Sequence, residues 1–214
     1  MADQNLEKVL KEQVEPVVEQ TMQKFIGMTV KELNKDITER LKKNPLLEFH
    51  IDTSLPFKAQ KKAFVKSYIE KILKTNFGDV TATAKICKVN RKTIHQLINE
   101  MGIDIKKCRA EMLRMDYFAK EAVSEVVEGV LGAYKEKLHE KSLKQAYMGV
   151  SELSENILKE YKVTFLPLRE AVKIFESEYI GKALKESANN ISQAARRMGL
   201  RFETLHRKMK ELGL

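Results

Sequence analysis

Residues 55–103 slide onto residues 166–214 at a constant offset of 111 with no gap, and 14 of the 49 positions are identical. Ordinary residue frequencies would give about three identities by chance. The identities include Leu55/Leu166, Pro56/Pro167, Phe64/Phe175, Tyr68/Tyr179, Ala84/Ala195, Thr93/Thr204, His95/His206 and Gly102/Gly213, and pairs such as Val80/Ile191, Val89/Leu200 and Ile94/Leu205 are conservative. A chain that writes one pattern twice is expected to fold both uses into much the same unit. A weaker echo lies upstream, where MTVKELNKDITERL at 28–41 resembles MGVSELSENILKEY at 148–161, and VVE at 17–19 recurs at 126–128. The offsets there are 120 and 109, so insertions are needed. The expectation is an ancestral unit of about 100 residues, an acidic helical part followed by a basic part, duplicated in tandem.

Charge follows the same division. Residues 55–109 carry 13 Lys/Arg against 4 Asp/Glu and residues 166–214 carry 10 against 6, whereas residues 1–54 and 110–165 each carry 8 against 10. The two repeated blocks are thus net positive and the other two slightly negative, so the chain's net charge of +9 comes wholly from the repeated blocks. Two basic blocks on slightly acidic scaffolds point to a polyanion as partner. Four segments are expected: an acidic helical segment at 1–54, a basic module at 55–109, a second acidic segment at 110–165 and a second basic module at 166–214.

No apolar run reaches the roughly 18–20 residues that span a bilayer, so no membrane association is expected. MADQNLEKVLKEQ lacks the basic and apolar regions of a secretory signal, which points to the cytoplasm. Cys87 and Cys108 stand without a CxxC partner and read as reduced thiols.

The periodicity is helical nearly throughout. Val9, Val14, Val17, Val18, Met22 and Phe25 recur at three- and four-residue steps and predict a helix over 4–25. Thr29 and Glu32 fit a capping box that opens a second helix through Lys42. Helices are further predicted over 57–76, 79–87 and 90–101, over 105–139 with a bend near Gly129 and Gly132, over 151–161, and over 168–187, 190–198 and 201–212. No stretch alternates with period two, so the predicted fold class is all-α.

Each repeat ends in two short helices around a tight turn. Ala84 and Ala195 supply the small residue that lets the second helix cross the first. Gly199 suits a turn with positive φ, and Lys88 stands in its place in the first copy. Val89, Ile94 and Ile98 in one copy, and Leu200, Leu205 and Met209 in the other, face the predicted core. That leaves Asn90, Arg91, Lys92, His95, Gln96 and Asn99 outward in the first copy, and Arg201, Phe202, Glu203, His206, Arg207 and Lys210 in the second. Arg and Lys match guanine edges and Asn and Gln match adenine in a major groove. Thr93 and Thr204, with backbone amides at helix starts, suit phosphates.

These two stretches, YIEKILKTNFGDVTATAKICKVNRKTIHQLINEMGI and YIGKALKESANNISQAARRMGLRFETLHRKMKELGL, resemble the Fis-type helix-turn-helix. That module occurs in the nucleoid protein Fis and at the C-terminus of NtrC-like activators. The shared pattern is a long helix with Tyr-Ile, a Gly-Asn/Asp turn, an Ala in the next helix and Arg-x-Thr-Leu-x-x-Lys in the recognition helix. The resemblance implies double-stranded DNA as partner, and long helices that pair as a dimer to set two recognition helices in successive major grooves. Carried over position by position, it implies DNA contacts by Asn90, Arg91, Lys92, Thr93 and Gln96, and by Arg201, Thr204, Arg207 and Lys208. Phe202 stands where the pattern has arginine, Glu203 adds a negative charge, and Leu97 stands where the pattern has lysine. No G-x-x-x-x-G-K-[ST] is present, so the ATPase of NtrC-like activators is not expected.

His95 and His206 have no cluster of metal ligands at suitable spacing, and no paired acid and base stands out. No cofactor, no metal and no enzymatic activity are expected. Three functions remain open at this level. The first is a transcriptional regulator whose two modules clamp DNA as an intramolecular pseudo-dimer or as a homodimer. The second is a nucleoid-associated protein that bends DNA. The third is an adaptor that binds a protein through its acidic helical segments and keeps its helix-turn-helix folds as structure.

Overall fold

The computed structural model describes residues 8–26, 31–47, 49–112, 114–136, 138 and 140–214. Every regular element among them is helical, so the fold is all-α. Eleven α-helices follow in order: α1 Glu15–Ile26, α2 Lys31–Lys42, α3 Phe57–Thr75, α4 Val80–Cys87, α5 Arg91–Met101, α6 Ile105–Ala110, α7 Met115–Ala133, α8 Glu140–Glu160, α9 Leu168–Glu186, α10 Ile191–Met198 and α11 Phe202–Leu212. A π-helical turn at Leu10–Val14 leads into α1, and a 3₁₀ turn at Pro45–Leu47 follows α2. The chain folds into two compact units, each assembled from two separate stretches.

Unit 1 takes residues 1–48 and 114–164. Its helices α1, α2, α7 and α8 pack around one apolar core. Val14, Val18 and Met22 of the first stretch, Val123, Val127, Val130 and Leu131 of α7, and Ala146, Val150, Leu153 and Ile157 of α8 are all buried. Their three- and four-residue spacing gives each helix one apolar stripe, and burial of that stripe is what holds such helices together. Two polar links cross this core: the Tyr134 hydroxyl donates to Asp36 Oδ2 at 2.8 Å, and Ser124 Oγ lies 2.9 Å from Ser154 Oγ.

Unit 2 takes residues 49–113 and 165–214. The long helices α3 and α9 lie against each other, and each carries a short helix pair, α4–α5 and α10–α11. The turns before the short helices are closed by the same bond. Gly78 N donates to Leu73 O and Asn189 N to Leu184 O, both at 2.8 Å. Phe77 and Gly78 take φ of 56° and 70°, and Ala188 and Asn189 take 49° and 61°. Asp79 then caps α4 by accepting from the Thr81 and Ala82 amides, and Asn190 caps α10 by accepting from Gln193 N. These side chains satisfy first-turn donors that would otherwise lack a partner.

Unit 2 carries 23 Lys/Arg against 12 Asp/Glu, and unit 1 carries 16 against 18. The positive surplus is thus confined to the unit that holds the short helix pairs.

Three predicted helices have different bounds. The helix expected over 105–139 is two helices, because Cys108 of α6 is buried in unit 2 while Ala119, Val123 and Val127 of α7 are buried in unit 1. The chain passes between the units after Ala110, and Gly129 and Gly132 lie inside an unbroken α7. The helix expected over 151–161 begins at Glu140, since Leu143 and Ala146 extend the same buried stripe upstream. The start of the helix expected over 4–25, and the capping residue Thr29, fall outside the described residues; from Leu10 the backbone makes a π turn before α1.

Candidate nucleic-acid interface

The pairing of α3 with α9 is built from aromatic residues that occupy equivalent places in the two repeats. Phe64 and Phe175 stack on each other, with centroids 4.6 Å apart and planes 13° apart. Phe49 meets both rings edge-on, at 5.6 and 5.8 Å. Beside this stack the Tyr68 hydroxyl donates to Leu166 O at 2.6 Å, and the Tyr179 hydroxyl donates to Leu55 O at 2.6 Å. Tyr68 matches Tyr179 and Leu55 matches Leu166 at the offset of 111, so the two bonds are reciprocal. Both tyrosines are buried, which makes the hydrogen bond obligatory for each hydroxyl.

The short helix pairs sit on this base. Ala84 and Ala195 are buried where the helices cross. The turns close alike: Val89 N donates to Ala84 O at 3.1 Å, and Leu200 N donates to Ala195 O at 2.9 Å. The C-cap residues are left-handed in both, Lys88 at φ 52° and Gly199 at φ 64°. Lysine therefore holds the conformation that glycine adopts without steric cost. Ile94 and Ile98 anchor α5 and Leu205 anchors α11, with Met209 half-buried.

What those anchors leave outward is the candidate reading face. Asn90 at the N-cap of α5 and Arg91, Lys92, His95, Gln96 and Asn99 on it are exposed, with Thr93 half-buried in its first turn. Arg201 at the N-cap of α11 and Phe202, Glu203, His206, Arg207 and Lys210 on it are exposed, with Thr204 half-buried. Unlike α4 and α10, these two helices have no side-chain cap on their first-turn amides. Uncapped amides and the positive helix end favour an anionic partner such as phosphate. Arg207 also lies 3.9 Å from Glu211 one turn on, a solvent-exposed pair.

Lys208 departs from this set. It turns inward, its Nζ 2.7 Å from Glu176 Oε2 and 5.2 Å from the centre of the Phe57 ring. Lys61 reaches the other carboxylate oxygen at 2.8 Å. Glu176 is buried on α9. Its desolvation works against the charge, but hydrogen bonds from Lys208 and Lys61 outweigh it and hold the carboxyl below its ordinary range.

The equivalents of Lys61, Glu176 and Lys208 in the other repeat are Val172, Val65 and Leu97. One side of the seam thus holds a charged triad, and the corresponding residues on the other are all apolar. The three matched pairs that exchange a charge for an aliphatic side chain were visible in the repeat alignment, but nothing in sequence marked them as neighbours.

The thiols stay outside this face. Cys87, the last residue of α4, is buried, and desolvation raises its pKa to about 12; burial likewise raises that of Cys108. Among the described residues no cluster of His, Cys, Asp and Glu could hold a metal. No helix among them is long and apolar enough to cross a membrane.

Comparison with known proteins bears on the second helix pair. Residues 171–212, which run from within α9 to the end of α11, match the family described as bacterial regulatory protein, Fis family. The chain is 45% identical over 49 residues to the nitrogen assimilation regulatory protein NtrX of Azorhizobium caulinodans, a stretch that covers 23% of this chain and 11% of the relative. It is 36% identical over 74 residues to putative NtrX-like response regulators of Rickettsia conorii and Rickettsia felis, covering 32% of this chain and 16% of theirs. The likeness is thus confined to a small part of each relative's length. No solved structure matches the chain.

Proposed function

We propose that the protein is a DNA-binding transcriptional regulator, acting in the nucleoid, in which unit 2 is a covalent pseudo-dimer of two Fis-type modules. In this reading α5 and α11 are the two recognition helices, and they enter major grooves of one duplex. The carrying observation is the reciprocal pair of hydrogen bonds, Tyr68 to Leu166 and Tyr179 to Leu55, about the stacked Phe64 and Phe175. Reciprocity at equivalent positions is the signature of an isologous interface, and here it joins two parts of one chain.

Three further observations support the reading. The positive surplus lies in the same unit. The outward residues of α5 include the Asn, Arg and Gln that match base edges. The relatives that share up to 74 residues are named as regulators, which favours regulation over a purely architectural role. The contacts proposed are Asn90, Arg91, Lys92, Thr93, His95, Gln96 and Asn99 on one helix, and Arg201, Phe202, Thr204, His206, Arg207 and Lys210 on the other. Lys208 is left out because Glu176 holds it inward.

The seam also bears on pairing. A pair of first modules would set Lys61 against Val65 and Leu97, leaving a charge on apolar surface. Pairing of unlike modules gives Lys61 its carboxylate, so no second chain is required.

Selection from random duplex DNA with the full chain, followed by salt-titrated binding, tests this reading. The expected site is non-palindromic, because the two reading faces differ, and affinity should fall steeply with salt. Unchanged affinity at moderate salt in the double variant Arg91→Ala, Arg207→Ala would refute it and favour the adaptor.

A further inference from the structure

The two proposed reading helices carry opposite chemistry at their first two residues. α5 opens with Arg91 and Lys92, and α11 opens with Phe202 and Glu203 at the equivalent positions. Phe202 is 46% exposed. Its ring stacks on that of His206 one turn later, with centroids 6.1 Å and planes 21° apart. The stack presents the phenyl ring as an exposed apolar plate in the first turn of α11. An aromatic ring so exposed forgoes the free energy of burial unless something covers it.

In a major groove the apolar group available to cover it is the thymine C5-methyl, and the group that suits a carboxylate is the cytosine N4 amine. Arg91 and Lys92 instead match the guanine O6 and N7 acceptors. A carboxylate repels phosphate, so Glu203 is compatible with the groove only where it lies over base edges. We infer that the first turn of α11 reads pyrimidines, with Phe202 covering a thymine methyl and Glu203 accepting from a cytosine amine, while the first turn of α5 reads purines. This rests on the proposal that α11 enters a major groove, and it makes Phe202 the residue that sets the difference between half-sites.

The test replaces each thymine of the selected site in turn by deoxyuridine, which removes only the methyl group, and measures binding by the full chain. One position in the α11 half-site should lose about fourfold in affinity, the worth of one buried methyl. Phe202→Ala should bind the thymine and deoxyuridine duplexes equally, Phe202→Leu should keep part of the difference, and Phe202→Arg should shift selection toward guanine there. Because Phe202 lies on the surface, these variants should keep the wild-type melting curve.

Specific binding with no deoxyuridine effect, or with an effect that persists in Phe202→Ala, overturns the inference and leaves the regulator reading intact. Absence of sequence-specific binding by the wild-type chain overturns both.

Discussion

Replacing Glu176 by valine should cost more stability than replacing the whole triad. Glu176 accepts from Lys208 at 2.7 Å and Lys61 at 2.8 Å, one lysine on each oxygen. Removing one member of a fully buried ion pair costs about 3–5 kcal/mol, because the partner charge is left without compensation. The two lysines differ in their escape route. The Lys61 side chain is 39% exposed and can swing into water, whereas that of Lys208 is 19% exposed and cannot do so fully. Discounting for that exposure gives about 2–3 kcal/mol for Glu176→Val. The triple variant Lys61→Val, Glu176→Val, Lys208→Leu leaves no charge stranded. It copies the apolar set that Val172, Val65 and Leu97 already form at the equivalent positions. Apolar replacement of a buried ion cluster is commonly neutral or stabilising, so the triple variant should lie within about 1 kcal/mol of wild type or above it.

Scanning calorimetry resolves this in the unit 2 transition. At about 4 °C per kcal/mol for a unit of this size, the single variant should melt about 8–12 °C lower and the triple variant within about 4 °C of wild type. The pH dependence gives an independent check. A carboxyl held below its ordinary 4.5 contributes stability that is fully present above that value and is lost as pH falls through its folded value. The gap between wild type and the triple variant should therefore shift below pH 4.5 and stay constant above it. A triple variant as unstable as the single one would refute the reasoning, since it would mean that the charges themselves, not their mutual compensation, hold the seam.

Three further outcomes follow from the same geometry. Tyr68→Phe and Tyr179→Phe should each lower stability by about 1 kcal/mol, and by closely similar amounts in chemical denaturation, because each removes one of two reciprocal bonds. Lys88→Gly should raise stability by about 1 kcal/mol by relieving a left-handed lysine, while Gly199→Ala should cost a similar amount; an added Cβ at 199 meets Pro56 only at 3.7 Å, so strain and not space decides the sign. Cys87, whose pKa burial raises to about 12, should resist iodoacetamide in the native chain at pH 8 and react on denaturation, as followed by mass spectrometry.

Much of unit 2 was legible because its signals are local or repeated. The Ala–turn–apolar spacing set the short helices to within a residue or two, and the repeat matched Phe64 with Phe175 and Tyr68 with Tyr179. Lys88 was less legible: glycine is the usual occupant of a left-handed cap, and only the closed turn, with Val89 N bonded to Ala84 O, makes lysine adopt it. The inward turn of Lys208 could not be read from helical position alone. Its place three residues after the buried Leu205 sets it on the flank of the buried stripe, but only the carboxylate from α9 makes that flank a site for a charge. The assembly of unit 1 from two distant stretches was likewise hidden, since apolar stripes on α1, α2, α7 and α8 say that each helix is covered but not by which partner.

Asymmetry at the seam and asymmetry at the reading faces belong to one argument. Two identical modules would bind a palindrome equally well as a pair within one chain or across two chains. Once the α11 face carries Phe202 and Glu203, a like-with-like pair would read a different site, and correct pairing becomes part of specificity. On the proposed reading the triad supplies that discrimination, because Lys61 would find its carboxylate only where unlike modules meet. Joining the modules in one chain adds effective concentration to the choice. On the proposed reading, the buried charges at the seam therefore serve the choice of DNA site more than the stability of the fold, and the near-neutral triple variant is the form in which the two roles separate: it should keep its melting temperature while losing the preference for unlike pairing.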